Sequence, residues 1–278
     1  MQEFINKEWM IDYEKNYSVY KAEWDVHYEQ IRNFIHSCLP HKVHHWGFIG
    51  VTNTIPEIDS RILNRIVKIT LLDINDEALK RARIYLSSIY DFRHVDVQRF
   101  DNTGGFTDKV LEGFQTLDKN EISEKKLLEH LDNIELDLDF EIPDNKENHH
   151  KYDFITHLGL MDYYMMPIFI KYCSRFQKNI EEFFQIMRKL NDYSVKISLK
   201  YLYNMLEKHG KLIISTPVAR IPEGEPCNRS LFWLDAIENI IEESDFKILS
   251  RTEHIWNEFP TNDGHSHLVQ NIFCEKQK

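Results

Sequence analysis

The stretch that most constrains this chain is Val67 to Arg83, VKITLLDINDEALKRAR. Ile69, Leu71 and Leu72 make a short apolar run that reads as a buried strand, and the run closes on Asp73. Ile74-Asn75-Asp76 then leads into a helix with apolar Ala78, Leu79 and Ala82. An acid at the carboxyl end of a strand, just before a helix, faces the crevice where open α/β sheets hold their ligands. A carboxylate there accepts from two vicinal hydroxyls, as a ribose presents them.

The flanking segments keep the same rhythm. Trp46 to Val51 predicts the first core strand and Thr52 to Pro56 a turn. Glu57 to Ile66 predicts a helix with Pro56 near its start, where a missing N–H costs nothing. A helix follows Asp73 to about Tyr90, and Phe92 to Val97 predicts a third strand, again closing on an acid, Asp96. Tyr152 to His157 predicts the fourth strand, Leu212 to Ser215 the fifth, Phe246 to Leu249 the sixth and Leu268 to Phe273 the seventh. Between the fourth and fifth lies a helical region, Pro167 to Lys208, with its break expected at Asn191-Asp192 and its stop at Gly210. Thr216 to Arg229 holds three prolines and reads as a loop, and Phe232 to Ile241 as a helix. Such alternation implies a parallel sheet with right-handed crossovers.

Two regions stand outside this rhythm. From Asp101 to His150, Val110, Leu111 and Phe114 suggest one short helix and Leu127, Leu128 and Leu131 another. Ile134 to Ile142 alternates apolar and acid residues, the period of a strand with one wet face. Acids alternating on such a face guard an edge more often than they bind metal. At the other end, Tyr20, Trp24, His27, Ile31, Phe34 and Ile35 recur at helical spacing. That stripe fits either a helix packed on the core or a lid over a ligand, with Tyr13, Tyr17 and Trp24 as lining residues. The chain thus reads as a helical cap or lid, 1–40, ahead of an α/β domain, 41–278.

The formal net charge of −11 disfavours partners held through phosphates, so neither nucleic acid nor an anionic membrane is an expected partner. No apolar run reaches membrane-spanning length. Cys38, Cys173, Cys227 and Cys274 lack C-x-x-C spacing and read as reduced thiols of a cytoplasmic protein. His254, His265 and His267 are close in sequence, but His-x-His without an acid partner on a regular element is a weak metal signal, and no metal is expected.

In this order the segments resemble the class I S-adenosylmethionine (SAM)-dependent methyltransferases from about His44 onward. WGFIGVTNTIPE, LLDIND and HVDVQRFD fall where that family has its glycine-rich loop, its ribose acid and its adenine-side acid. YDFITHLGLMDYY resembles the motif at the mouth of the site, LYNMLEKHGKLIIST the turn into strand five, and SDFKILSRTEHIW the sixth strand. The resemblance implies a Rossmann-like, seven-stranded, mostly parallel sheet with helices on both faces, an insertion between strands three and four, and a seventh strand antiparallel beside the sixth. It departs from the family in the loop, where Gly50 stands alone with Thr52 and Thr54 in place of the other glycines, and Phe48 replaces the preceding acid.

The roles this implies are specific. Asp73, with Ile74 beside it, would hold the ribose hydroxyls of SAM. Asp96 would accept from the adenine amino group while Val97 packs on the ring. Gly50 and Thr52 would let the backbone approach the methionine half, and Thr156 would line the mouth of the site. His157, Asp162, Tyr163 and Tyr164 would lie beside the transferable methyl, with His157 a candidate base for a protonated acceptor. The expected activity is methyl transfer to a small-molecule acceptor. Two rivals keep the cofactor: an aminocarboxypropyl transfer like that of nicotianamine-synthase-like enzymes, to which FIG followed by a proline-containing loop is also similar, and a SAM-binding protein without turnover.

Overall fold

The computed structural model describes residues 15–51, 55–89, 94–119, 123–137, 151–158, 164–221, 237–259 and 265–277. Seven strands form one sheet in the order β3-β2-β1-β4-β5-β7-β6. β1 (Val43–Ile49), β2 (Ile66–Asp73), β3 (Val95–Arg99), β4 (Tyr152–Leu158) and β5 (Leu206–Ile221) run parallel. β7 (His265–Lys276) lies between β5 and β6 (Phe246–Phe259), antiparallel to both. β1 pairs with β2 on one side and β4 on the other, so the winding reverses between them. Open sheets of this kind leave a crevice there, beyond the carboxyl ends of the strands.

Each face of the sheet carries its own buried cluster. One is built with α1 (Lys21–Cys38), α2 (Ser60–Leu63) and α3 (Asp76–Ile89). The other is built with α4 (Phe106–Lys119), α5 (Glu124–Asp137), α6 (Met166–Tyr172), α7 (Ile180–Met205) and α8 (Ile237–Glu243). α4 and α5 occupy the stretch between β3 and β4, and their Phe114, Leu127, Leu128 and Leu131 are buried with Phe183 of α7.

The aromatic stripe of the N-terminal segment lies within the first layer. Trp24 is 2% exposed and meets Trp256 of β6 edge-on at 5.6 Å, and Ile35 is fully buried. Over residues 21–38 the stripe therefore takes the packed arrangement of the two it allows; Tyr13 lies outside the described residues. Beside Trp24, His27 Nδ1 sits 2.8 Å from His254 Nε2, and Asn271 Nδ2 sits 3.0 Å from His254 Nδ1. An amide nitrogen only donates, so His254 accepts from Asn271 and donates to His27.

Several boundaries differ from the sequence expectations. The helix expected over Glu57–Ile66 is the single turn α2, capped by Asp59, whose carboxylate accepts from the Ile62 N–H at 3.0 Å. Ile134 to Asp137, expected in a strand, close helix α5, and 138–142 lie outside the described residues. No break occurs at Asn191-Asp192: α7 runs through it because the buried Asn191 side chain accepts from the Met165 N–H at 3.3 Å. The local tendency of asparagine to leave a helix is overridden once its oxygen has a tertiary partner. β5 starts six residues before Leu212 and runs on through Thr216–Ile221, expected as a loop. Pro217 is accommodated because the register with β7 shifts between Pro217 and Ala219, which is where a strand tolerates a missing N–H.

Candidate active site

Four strand ends converge on the crevice. After β1 the chain turns at Gly50, whose φ is +85°. A Cβ there would stand 2.4 Å from the Leu158 carbonyl oxygen of β4, so both backbone conformation and space require glycine. The next residue, Val51, donates its N–H to Asp73 Oδ2 at 2.9 Å, and Asn75 donates to Asp73 Oδ1 at 2.8 Å. Asp73 thereby ties the β1 turn to the end of β2. No salt bridge reaches its carboxylate among the described residues. Burial raises it to about 6, against the backbone N–H groups of Asn75, Val51 and Ile74, which pull the other way. Among the described residues Val51 and Asn75 each donate to a different oxygen at hydrogen-bond distance, which leaves the carboxylate further capacity to accept from a diol. Thr52 lies outside the described residues.

The third strand corrects an expectation. β3 begins at Val95 and ends at Arg99, and Asp73 pairs with Arg99 across the ladder. Asp96 pairs with Thr70 instead, three residues short of the strand end, or about 10 Å. Its carboxylate is bound to Lys68 Nζ at 2.8 Å. Val97 stands two residues short on the edge strand, 36% exposed. Neither reaches the crevice. The acid at the strand end is Asp101, and it is occupied as a cap, accepting from the Thr103 N–H, the Thr103 hydroxyl and the Gly105 N–H at 2.7 to 2.9 Å.

The residues of β4 divide by face. Thr156 is fully buried and its hydroxyl accepts from the Trp46 indole N–H at 3.0 Å, on the face away from His157. It is a core residue, not a lining one. His157 is fully buried on the other face, 2.7 Å through Nε2 from Asn102 Nδ2 and 3.2 Å from the Tyr164 hydroxyl. Burial pushes its imidazole down to about 4, so it is neutral at physiological pH. The Tyr164 hydroxyl continues to Ser198 Oγ on α7 at 3.0 Å. Asp162 and Tyr163 lie outside the described residues. Asn102 and Ser198 were not singled out in the sequence; only the turn chemistry of Asp101-Asn102-Thr103-Gly104 hinted at the first. Among the described residues no group of three or more His, Cys, Asp or Glu side chains is placed to hold a metal ion.

No protein-family model matches the chain, and no curated protein matches it. Solved structures do. A candidate SAM-dependent methyltransferase from Listeria monocytogenes matches with TM-score 0.51 at 10% identity, covering 89% of this chain and 98% of that one. The fold is that of the SAM-dependent methyltransferases. Lower TM-scores relate this methyltransferase fold to two further structures. The N-methyltransferase NodS from Bradyrhizobium japonicum WM9, in complex with S-adenosylhomocysteine, has TM-score 0.48 at 10% identity over 93% of this chain and 88% of that one. A candidate methyltransferase from Bacillus halodurans C-125 has 0.49 at 10% identity over 90% and 99%. Among the described residues no helix is long and apolar enough to cross a membrane.

Proposed function

We propose that this chain is a SAM-dependent methyltransferase acting on a small-molecule acceptor. The observation that carries the reading is Asp73, a carboxylate with no salt bridge among the described residues, held by backbone N–H groups at the switch point of a sheet with the methyltransferase strand order. Its residual acceptor capacity fits the ribose diol, and the Gly50–Val51 turn beside it would face the methionine half. When bound, the sulfonium supplies the methyl group.

The chain's own contribution is to bind, orient and exclude water. Methyl transfer is an in-line displacement in which alignment supplies much of the rate. His157 serves this as a neutral, buried hydrogen-bond acceptor rather than as a base, since its Nε2 is already engaged by Asn102 and its basicity is low. An acceptor that arrives with a free lone pair suits a site of this kind, because no proton has to leave before attack. The net charge of −11 supports a small acceptor over a polyanion.

Calorimetry with S-adenosylhomocysteine, followed by incubation of SAM with amine and thiol acceptor pools, tests the reading. Micromolar binding and release of S-adenosylhomocysteine are expected. Methylthioadenosine as the product would assign aminocarboxypropyl transfer instead, and the absence of cofactor binding would overturn both.

A further inference from the structure

β6 ends the strand order, so β7 is its one strand neighbour among the described residues. It runs for 14 residues, whereas β3 at the opposite edge has five. An edge strand turns a row of backbone N–H and C=O groups outward, where another chain can pair with them. Helices α1 and α8 reach its two faces, at Trp256 and at Arg251. Packing on one face alone would cover every second side chain. On β6 five successive residues, Leu249 to Glu253, are exposed instead, and Ile255 just beyond them is 59% exposed.

Charges on an edge normally guard it, because like signs meet when two copies approach. Here the signs differ, with Arg251 and Glu253 bracketing the neutral Thr252. Consider two copies of β6 paired antiparallel about a two-fold axis at Thr252. Arg251 of each then stands opposite Glu253 of the other, and exposed Leu249 opposite exposed Ile255. Moving the axis by one residue sets Arg251 against itself or Glu253 against itself. Moving it by two sets Leu249 against Arg251 or Glu253 against Ile255. The edge is self-complementary in one register and guarded in its neighbours.

Both charged side chains are also held in place. Arg251 binds the two oxygens of Glu238 on α8 through Nη1, at 2.5 and 2.6 Å, and its guanidinium carries further donors on Nη2 and Nε. Gln270 bridges the acids, donating to Glu238 at 3.2 Å and to Glu253 at 2.8 Å. Each copy thus gathers two carboxylates around one guanidinium, and a second guanidinium from across the axis balances the count.

We propose that β6 is a homodimer interface, in which two copies pair edge to edge in the register centred on Thr252 and join their seven-stranded sheets into one. Sedimentation equilibrium on the full chain should give twice the 33.4 kDa of one copy. Arg251→Glu and Glu253→Arg each put like charges across the axis, and each should be monomeric with the wild-type circular dichroism. Mixed in equal amounts, these two variants become complementary and a dimer should return. The doubly substituted chain, with its signs exchanged, should dimerise by itself. Thr252→Cys sets one thiol directly opposite its copy, so mild oxidation should link two chains there, while Lys247→Cys, remote from its copy in this register, should not link. A wild-type chain that stays monomeric, folded single variants that remain dimeric, or a mixture of folded monomers that fails to pair overturns the proposal. Should the charge variants not fold, the cysteines decide: linkage at position 252 over 247 supports the register, and equal or absent linkage overturns it.

Discussion

The ionisation of Asp73 should control cofactor affinity. Its carboxyl is raised to about 6 in the folded protein from an ordinary value of 3.8, mainly by burial. A rise of about two units corresponds to about 3 kcal/mol of disfavoured charge at neutral pH. The empty protein therefore binds this proton more tightly than the unfolded chain does. The resulting stabilisation is complete below about pH 4 and is lost as pH climbs through 6. Ribose hydroxyls donating to the carboxylate reverse the preference, since each bond to a charged acceptor contributes about 1.5–3 kcal/mol. Binding thus selects the ionised form. With a folded value near 6, the ionised fraction grows about tenfold between pH 5 and pH 7, and apparent affinity should grow with it. Calorimetry with S-adenosylhomocysteine at pH 5, 6 and 7 reads this directly. Asp73→Ala should weaken binding at pH 7 by roughly tenfold or more, and Asp73→Asn should remove the pH dependence. A flat wild-type profile, or the same slope in Asp73→Asn, would refute the assignment of the ribose to this carboxylate.

Three further outcomes follow from the geometry. Gly50→Ala should abolish ligand binding and lower thermal stability, since the left-handed backbone alone costs about 1–2 kcal/mol and the new Cβ would meet the Leu158 carbonyl; a variant with unchanged melting contradicts the tight β1–β4 approach. Trp24→Ala should destabilise by about 3–5 kcal/mol in urea unfolding, and deletion of residues 1–38 should unfold the chain, because Trp24 is core; a folded, cofactor-binding truncation would return the segment to the status of a lid. His254 is lowered to about 4 and His27 well below its ordinary value, both chiefly by burial, so their neutral forms support the fold above about pH 6.5 and that support is lost as pH falls toward 4; unfolding titrations should show the loss, and His27→Gln should blunt it.

What the sequence determined by itself was local. The strand, acid and helix around Asp73 are read from neighbouring residues, because burial on both faces demands a continuous apolar run and the strand end is open to ligand. The succession of seven strands along the chain, the lone glycine turn and the apolar faces of α4 and α5 follow from the same short-range patterns, whereas their order in the sheet does not. Register and facing belong to the tertiary structure. Two aspartates, Asp96 and Asp101, fall within one short stretch, and only pairing with β2 shows that the first stops short of the crevice. Thr156 and His157 are adjacent, yet one serves the Trp46 side of the sheet and the other the hydrogen bond with Asn102. The helix through Asn191 and the strand through Pro217 contradict local propensity because a distant N–H and a register shift satisfy the groups concerned. Asn102, His157, Tyr164 and Ser198 come from four separate stretches of the chain, and no local periodicity records their meeting. Hydrogen bonds between side chains so far apart depend on the packing of the layers that carry them, which is settled only when the whole chain has folded.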